Sequence, residues 1–219
     1  MSFFRKALII LGTLFPVLTV VLVYLLFFDK ENTKSVYYPM SEQEKGFLHD
    51  GDIILRQGYG FFSRSIAQLQ NSVIPVTHCA MISKKEHELK VIHSLSSSVS
   101  EIDGVQKQSL QHFLNESVPN SIIVCRYKGT EAQRIALKER AEYYLQQKVP
   151  FDHRFDRSES QKMYCTELFR NIFYDILQED IFEKQFATNT TTIYDLTTFL
   201  DTSYFDIVIN HFPNQGLSK

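Results

Sequence analysis

From Ala7 to Phe28 the chain reads ALIILGTLFPVLTVVLVYLLFF, an apolar run without a single charge. Such a run is about long enough to cross a hydrocarbon core as a helix, and a helix is the form that satisfies its backbone there. Pro16 lies inside it, which a membrane helix tolerates better than a soluble one. A cleavable signal peptide fits less well, because LVYLLFFDKEN lacks the small-x-small pattern of a cleavage site and the run is long for an h-region. Arg5 and Lys6 precede the run, and Asp29, Lys30 and Glu31 follow with mixed sign. The positive-inside bias then places the N-terminus in the cytoplasm and everything after Phe28 outside the inner membrane, as a single-pass, periplasm-facing protein. The expected organisation is a membrane anchor over 1–28, a tether with a short helix over 29–45, and one folded domain over 46–219.

Period and punctuation supply the elements of that domain. SEQE at 41–44 has capping-box form and predicts a brief helix. DIILRQ (52–57), THCAMIS (77–83), LKVIHSL (89–95) and SIIVCRY (121–127) read as strands, and GYGFFSRSIAQLQ (58–70) as a turn entering a helix. Residues 131–148 form an amphipathic helix ended by Pro150, and a second helix runs from about Met163 to Leu177. The tail predicts a helical turn and a last strand. Strands and helices mixed in this way predict an α+β domain.

The 219 residues are 44% hydrophobic, enough for one well-packed core rather than two. A formal net charge of -2 and the absence of a basic-aromatic stripe argue against a nucleic-acid partner. Nothing in the sequence fixes an oligomeric state. There are three cysteines, so they cannot all pair within the chain, and at least one is expected as a free thiol.

Cys165 stands at the head of the helix KMYCTELFRNIFYDIL, one turn before the apolar stripe Leu168, Phe169, Ile172, Phe173 and Ile176. A thiol there feels the positive end of the helix dipole, which favours the thiolate, and first-turn N–H groups can hold an oxyanion. An inert buried cysteine is the competing reading. A nucleophilic cysteine needs a histidine base and a group that orients it. If 77–83 and 89–95 form a hairpin turning at 85–86, His78 faces His93 directly; a register shift of two leaves them diagonal neighbours. Cys79 then points to the opposite face, with Thr77 and Met81, and is expected in packing rather than beside His78. Cys125 also reads as core, and a Cys79–Cys125 disulfide is conceivable outside the cytoplasm.

Other constellations carry less. A zinc site from His78, His93 and Cys165 is chemically possible, but no CxxC or HExxH spacing supports it, and no metal or cofactor is expected. FDHRFDRSES (151–160) reads as a solvated loop holding His153, and GYG (58–60) lacks the lysine of a phosphate loop.

The order HDGDIILRQGYGFFSRSIAQLQ, VTHCAMI, KVIHSL and PFDHRFDRSESQKMYCTELFRNIF resembles the permuted papain-like amidases, the YaeF/YiiX group of the NlpC-type cysteine peptidase superfamily. The resemblance covers about residues 46–210, and its histidine-first order is that of permuted members. It implies a circularly permuted papain-like (NlpC-type) fold, with an antiparallel sheet or barrel packed on helices. It further implies a thiol hydrolase in which Cys165 is the nucleophile, His78 the general base and His93 the orienting residue, where relatives often carry glutamate. Tyr164, next to the nucleophile, is expected to line the site or aid the oxyanion hole. The expected substrate is peptide, with peptidoglycan first by location, and a lipid acyl group or a non-catalytic binding role as the alternatives.

Overall fold

A computed structural model describes residues 15–22, 36–70, 74–86, 88–156, 161–183 and 193–213. Six strands make one sheet: β1 (Ile53–Gly58), β2 (His78–Lys85), β3 (Glu88–Leu95), β4 (Gly104–Ser109), β5 (Ser117–Tyr127) and β6 (Phe205–Asn210). Their spatial order is β4-β3-β2-β1-β5-β6, and every neighbouring pair is antiparallel. The helices are α1 (Glu42–Phe47), α2 (Gly60–Gln70), α3 (Leu110–Asn115), α4 (Glu131–Gln146) and α5 (Cys165–Leu177), with a 3-10 turn at Leu196–Leu200. The architecture is therefore mixed α/β on an antiparallel sheet.

The central strands read as unbroken apolar runs because both faces of the sheet are covered. On one face Leu55, Cys79, Met81 and Ile123 meet α4 and α5 through Leu137, Leu168, Phe169 and Phe173. On the other, Ile54, Ala80, Ile82, Val91 and Val124 meet Leu48 and the α3 residues Phe113 and Leu114. Burying a Phe or Leu side chain of this kind stabilises the fold by about 1.5–3 kcal/mol. The helices begin where their caps require. Ser41 Oγ accepts from Glu44 N–H at 3.2 Å while the Glu44 carboxylate accepts from Ser41 N–H at 2.8 Å, as the SEQE pattern predicts. Thr130 and Gln133 repeat the device at α4.

β4 has no counterpart among the sequence expectations, because GVQKQS carries one apolar side chain and lies at the sheet edge, where no strong pattern is imposed. The hairpin between β2 and β3 also turns one step later than expected. Glu86 adopts a left-handed φ of 52°, and the ladder pairs Lys85 with Glu88 and Met81 with Ile92. That register shifts His78 and His93 from direct partners to diagonal ones.

Residues 15–22 are helical and exposed within the apolar N-terminal run, whose remaining residues lie outside those described. Among the described residues, no helix is long and apolar enough to cross a membrane.

Candidate active site

Three hydrogen bonds fix the head of α5. Ser94, buried on β3, donates its Oγ–H to the Met163 carbonyl at 2.5 Å. Thr166 Oγ1 donates to the Tyr194 carbonyl at 2.8 Å, and Tyr194 N–H donates to Tyr164 Oη at 3.1 Å. Cys165 sits among these anchors as the first residue of the helix, with Tyr164 as its N-cap. The buried stripe Leu168, Phe169, Ile172 and Phe173 then seats the helix on the sheet. Tyr164 itself is only 2% exposed, its ring lying against Phe155 and stacked on Tyr194.

The Cys165 thiol is half-buried and rests on the same face of the sheet as Cys79. The Cys79 thiol, donating to it, leads the influences that hold Cys165 below the ordinary cysteine range; burial opposes them, and the N–H groups of Thr166, Cys79 and Cys165 add to them. Burial pushes Cys79 well above that range, so Cys79 stays protonated and acts as the donor. Thus the expected separation of Cys79 from His78 is present, but Cys79 also touches Cys165. The cysteine side chains are free thiols, Cys125 included, so Cys79 and Cys125 are unpaired although both belong to one core cluster.

His78 and His93 form a buried pair on the opposite face. His78 Nε2 lies 2.8 Å from His93 Nδ1, and both rings lie 5.9 Å from Phe113 of α3. Arg56 completes this row. It is the direct ladder partner of His78 across β1 and β2, so its side chain emerges beside the imidazole. Its guanidinium lies over the Phe113 ring, 4.4 Å from the centroid, and Nη1 donates to the Phe113 carbonyl at 2.9 Å and to Glu116 at 2.8 Å. Burial, then the Arg56 cation, then His93 push the pKa of His78 well below its ordinary value. Burial and Arg56 also lower His93, to about 3, so both rings are neutral at physiological pH. Among the described residues His93 Nε2 has no hydrogen-bond partner.

The structure thus brings together His78 with His93 and Cys165 with Cys79. It places the two pairs on opposite faces near the start of β2, and among the described residues no hydrogen bond joins Cys165 to His78. A Cys165 thiolate also steadies the Arg56 cation, after Glu116.

Two buried acids near α5 escape a reading of the sequence. Asp152, in the segment expected as a solvated loop, is fully buried and accepts from Arg154 and Asp156 N–H at 2.9 and 2.6 Å. Glu167 is 3% exposed, and burial raises its pKa to about 8. No sequence signal distinguishes these carboxylates from their solvated neighbours. Arg56 was equally hidden, since arginine in a strand usually points to water. His153 fits the loop expectation better, half-exposed and paired with Asp103 at 2.9 Å.

Among the described residues, no three His, Cys, Asp or Glu side chains gather closely enough to hold an ion. The zinc set considered from sequence is split by the sheet, with Cys165 on one face and His78 and His93 on the other beside a guanidinium that repels cations.

Residues 47–203 match the family described as permuted papain-like amidase enzyme, YaeF/YiiX, C92 family. The fold is also similar to the crystal structure of metalloprotein yiiX from Escherichia coli O157:H7, with a TM-score of 0.60 at 16% identity. That alignment covers 75% of this chain and 98% of the other. No curated protein sequence matches the chain. Because the family match spans most of the chain, including both the histidine hairpin and the head of α5, the protein belongs to the permuted papain-like amidases.

Proposed function

We propose that the protein is a membrane-anchored, extracytoplasmic cysteine hydrolase that cleaves an amide, with cell-wall peptide as its substrate. The observation that carries this reading is the position of Cys165, the first residue of α5, at a helix head anchored by the hydrogen bonds of Ser94, Thr166 and Tyr164. Such a sulfur is stabilised as the thiolate, the form that attacks a carbonyl.

In the proposed reaction Cys165 Sγ adds to the amide carbon, and N–H groups at the head of α5 hold the resulting oxyanion. With its proton on Nε2, donated to His93 Nδ1 2.8 Å away, His78 keeps Nδ1 as the basic nitrogen. His78 is the first residue of β2, so its ring can turn around the strand end toward Cys165 as substrate enters. As the sulfur attacks, His78 Nδ1 takes the Cys165 thiol proton and passes it to the departing amine, the acyl group remains as a thioester on Cys165, and His78 then activates the water that hydrolyses it. Tyr164 contributes by holding Tyr194 and so the geometry of the helix head. The uncharged Ala7–Phe28 run supports the anchor, and the charges that flank it support the orientation.

Incubating the full chain with purified muropeptides and, separately, with phospholipid vesicles tests the assignment, with Cys165→Ser as control. Release of a new amino group from muropeptides, absent in the control, is expected. Turnover of phospholipid alone would replace the peptide substrate with a lipid acyl group, and turnover of neither would leave a binding role.

A further inference from the structure

Cys79 is not explained by the reaction just described, yet it belongs to the core cluster against which the proposed nucleophile packs. The β2 pleat turns it away from His78 and into the cluster that receives Cys165. Cys165 packs against the core cluster that holds Cys79, each thiol shifts the ionisation of the other, both are free, and Cys79 is fully buried while Cys165 is half-buried. Cys125 shares the cluster but lies two strands away from β2, on β5 beyond β1.

From this juxtaposition, and resting on Cys165 being the reactive thiol, we infer that Cys79 and Cys165 form a reversible oxidation site in which Cys79 resolves a peroxide-oxidised Cys165. The Cys165 thiolate attacks one peroxide oxygen, the O–O bond breaks, and the other oxygen leaves as hydroxide or alkoxide, giving Cys165 sulfenic acid. Cys79 sulfur then displaces the hydroxyl from Cys165 sulfur, a proton passes to it, and water leaves as the Cys79–Cys165 bond forms. Two thiols lose two electrons in all and the peroxide gains them. An external dithiol reverses the step by exchange. The disulfide silences the nucleophile, but it also keeps the sulfur from the irreversible sulfinic and sulfonic acids. His78 and His93, on the other face, take no part.

The test treats the full chain, in detergent micelles, with hydrogen peroxide and maps its cysteines by non-reducing peptide mass spectrometry. A Cys79–Cys165 cross-link with Cys125 left as a thiol is expected, together with loss of labelling of Cys165 by an acyl electrophile and its recovery with dithiothreitol. In Cys79→Ala, checked for folding by circular dichroism, the same treatment should leave sulfinic or sulfonic acid on Cys165 and no recovery. Wild-type protein in which Cys165 is over-oxidised while Cys79 stays a thiol would overturn the inference, as would a cross-link to Cys125. The cross-link is read without activity, so the two proposals fail separately. A cross-link without acyl labelling would count against the hydrolase alone, and labelling without a cross-link against the oxidation site alone.

Discussion

His78 Nε2 lies 2.8 Å from His93 Nδ1 on one face of the sheet, while the residue after His78, Cys79, lies on the other in the core cluster against which Cys165 packs. One strand therefore serves both halves of the proposed chemistry through its pleat. The base belongs to the face closed by α3, and the nucleophile to the face closed by α5. His78 is the first residue of β2, so in the proposed reaction a substrate carbonyl binds at that strand end.

Removing the base should cost most. His78→Ala is expected to lower kcat/KM by about 10²–10⁴-fold, the usual contribution of a positioned general base. His93→Ala should lower it less. His93→Gln should recover part of that loss, because a glutamine amide offers both an acceptor and a donor to His78 Nε2, which now bonds His93 Nδ1. Amide-cleavage kinetics on the three variants check the order, and His93→Gln falling below His93→Ala would count against an orienting role.

Arg56 sets where the base titrates. Its cation stands beside His78 in the ladder and, after burial, is the next influence holding that imidazole's pKa down. Arg56→Met, combined with Glu116→Gln so that no carboxylate loses its partner, removes the cation and should raise the His78 pKa. The acid limb of the kcat/KM profile should then move to higher pH. Histidine titration by NMR reads the same shift directly, and an unmoved His78 resonance would exclude Arg56 as its electrostatic neighbour.

Stability should fall on both sides of neutrality, for opposite reasons. His93 has a folded pKa of about 3 against 6.5 ordinarily, so between those values the unfolded chain binds the extra proton and stability is lost as pH falls. Glu167 has a folded pKa of about 8 against 4.5, so the folded chain holds the extra proton and stability is lost as pH rises through that interval. Each group contributes at most about 1.4 kcal/mol per pH unit. Glu167→Gln should flatten the decline toward pH 8 and leave the acid side unchanged, as measured by thermal unfolding from pH 4 to pH 9. An unaltered alkaline decline in that variant would show that Glu167 is ionised in the fold.

What the sequence discloses follows what periodicity can encode. The strand runs around Ile53, Cys79, Val91 and Val124 and the stripe of α5 are legible because burial imposes a repeat on apolar residues. The approach of His78 to His93 is legible from the same repeat, although the turn at Glu86 displaces their register by two. β4 is not, since its edge position asks little of its side chains. Arg56, Asp152 and Glu167 are hidden because their burial depends on distant partners, Phe113 and Glu116 for the arginine and the helix head for the acids. The Cys79–Cys165 contact is hidden for a further reason: the pleat predicts which face Cys79 takes but not which helix covers it.

The account stands most directly on the reactivity of one sulfur. The full chain should be exposed to a limiting amount of an acyl electrophile, and the adduct on each cysteine quantified by peptide mass spectrometry. Cys165 should carry nearly all of the adduct, with Cys79 and Cys125 spared, and the adduct should be lost in His78→Ala. Equal modification of all three cysteines, or undiminished modification of Cys165 without His78, would contradict it.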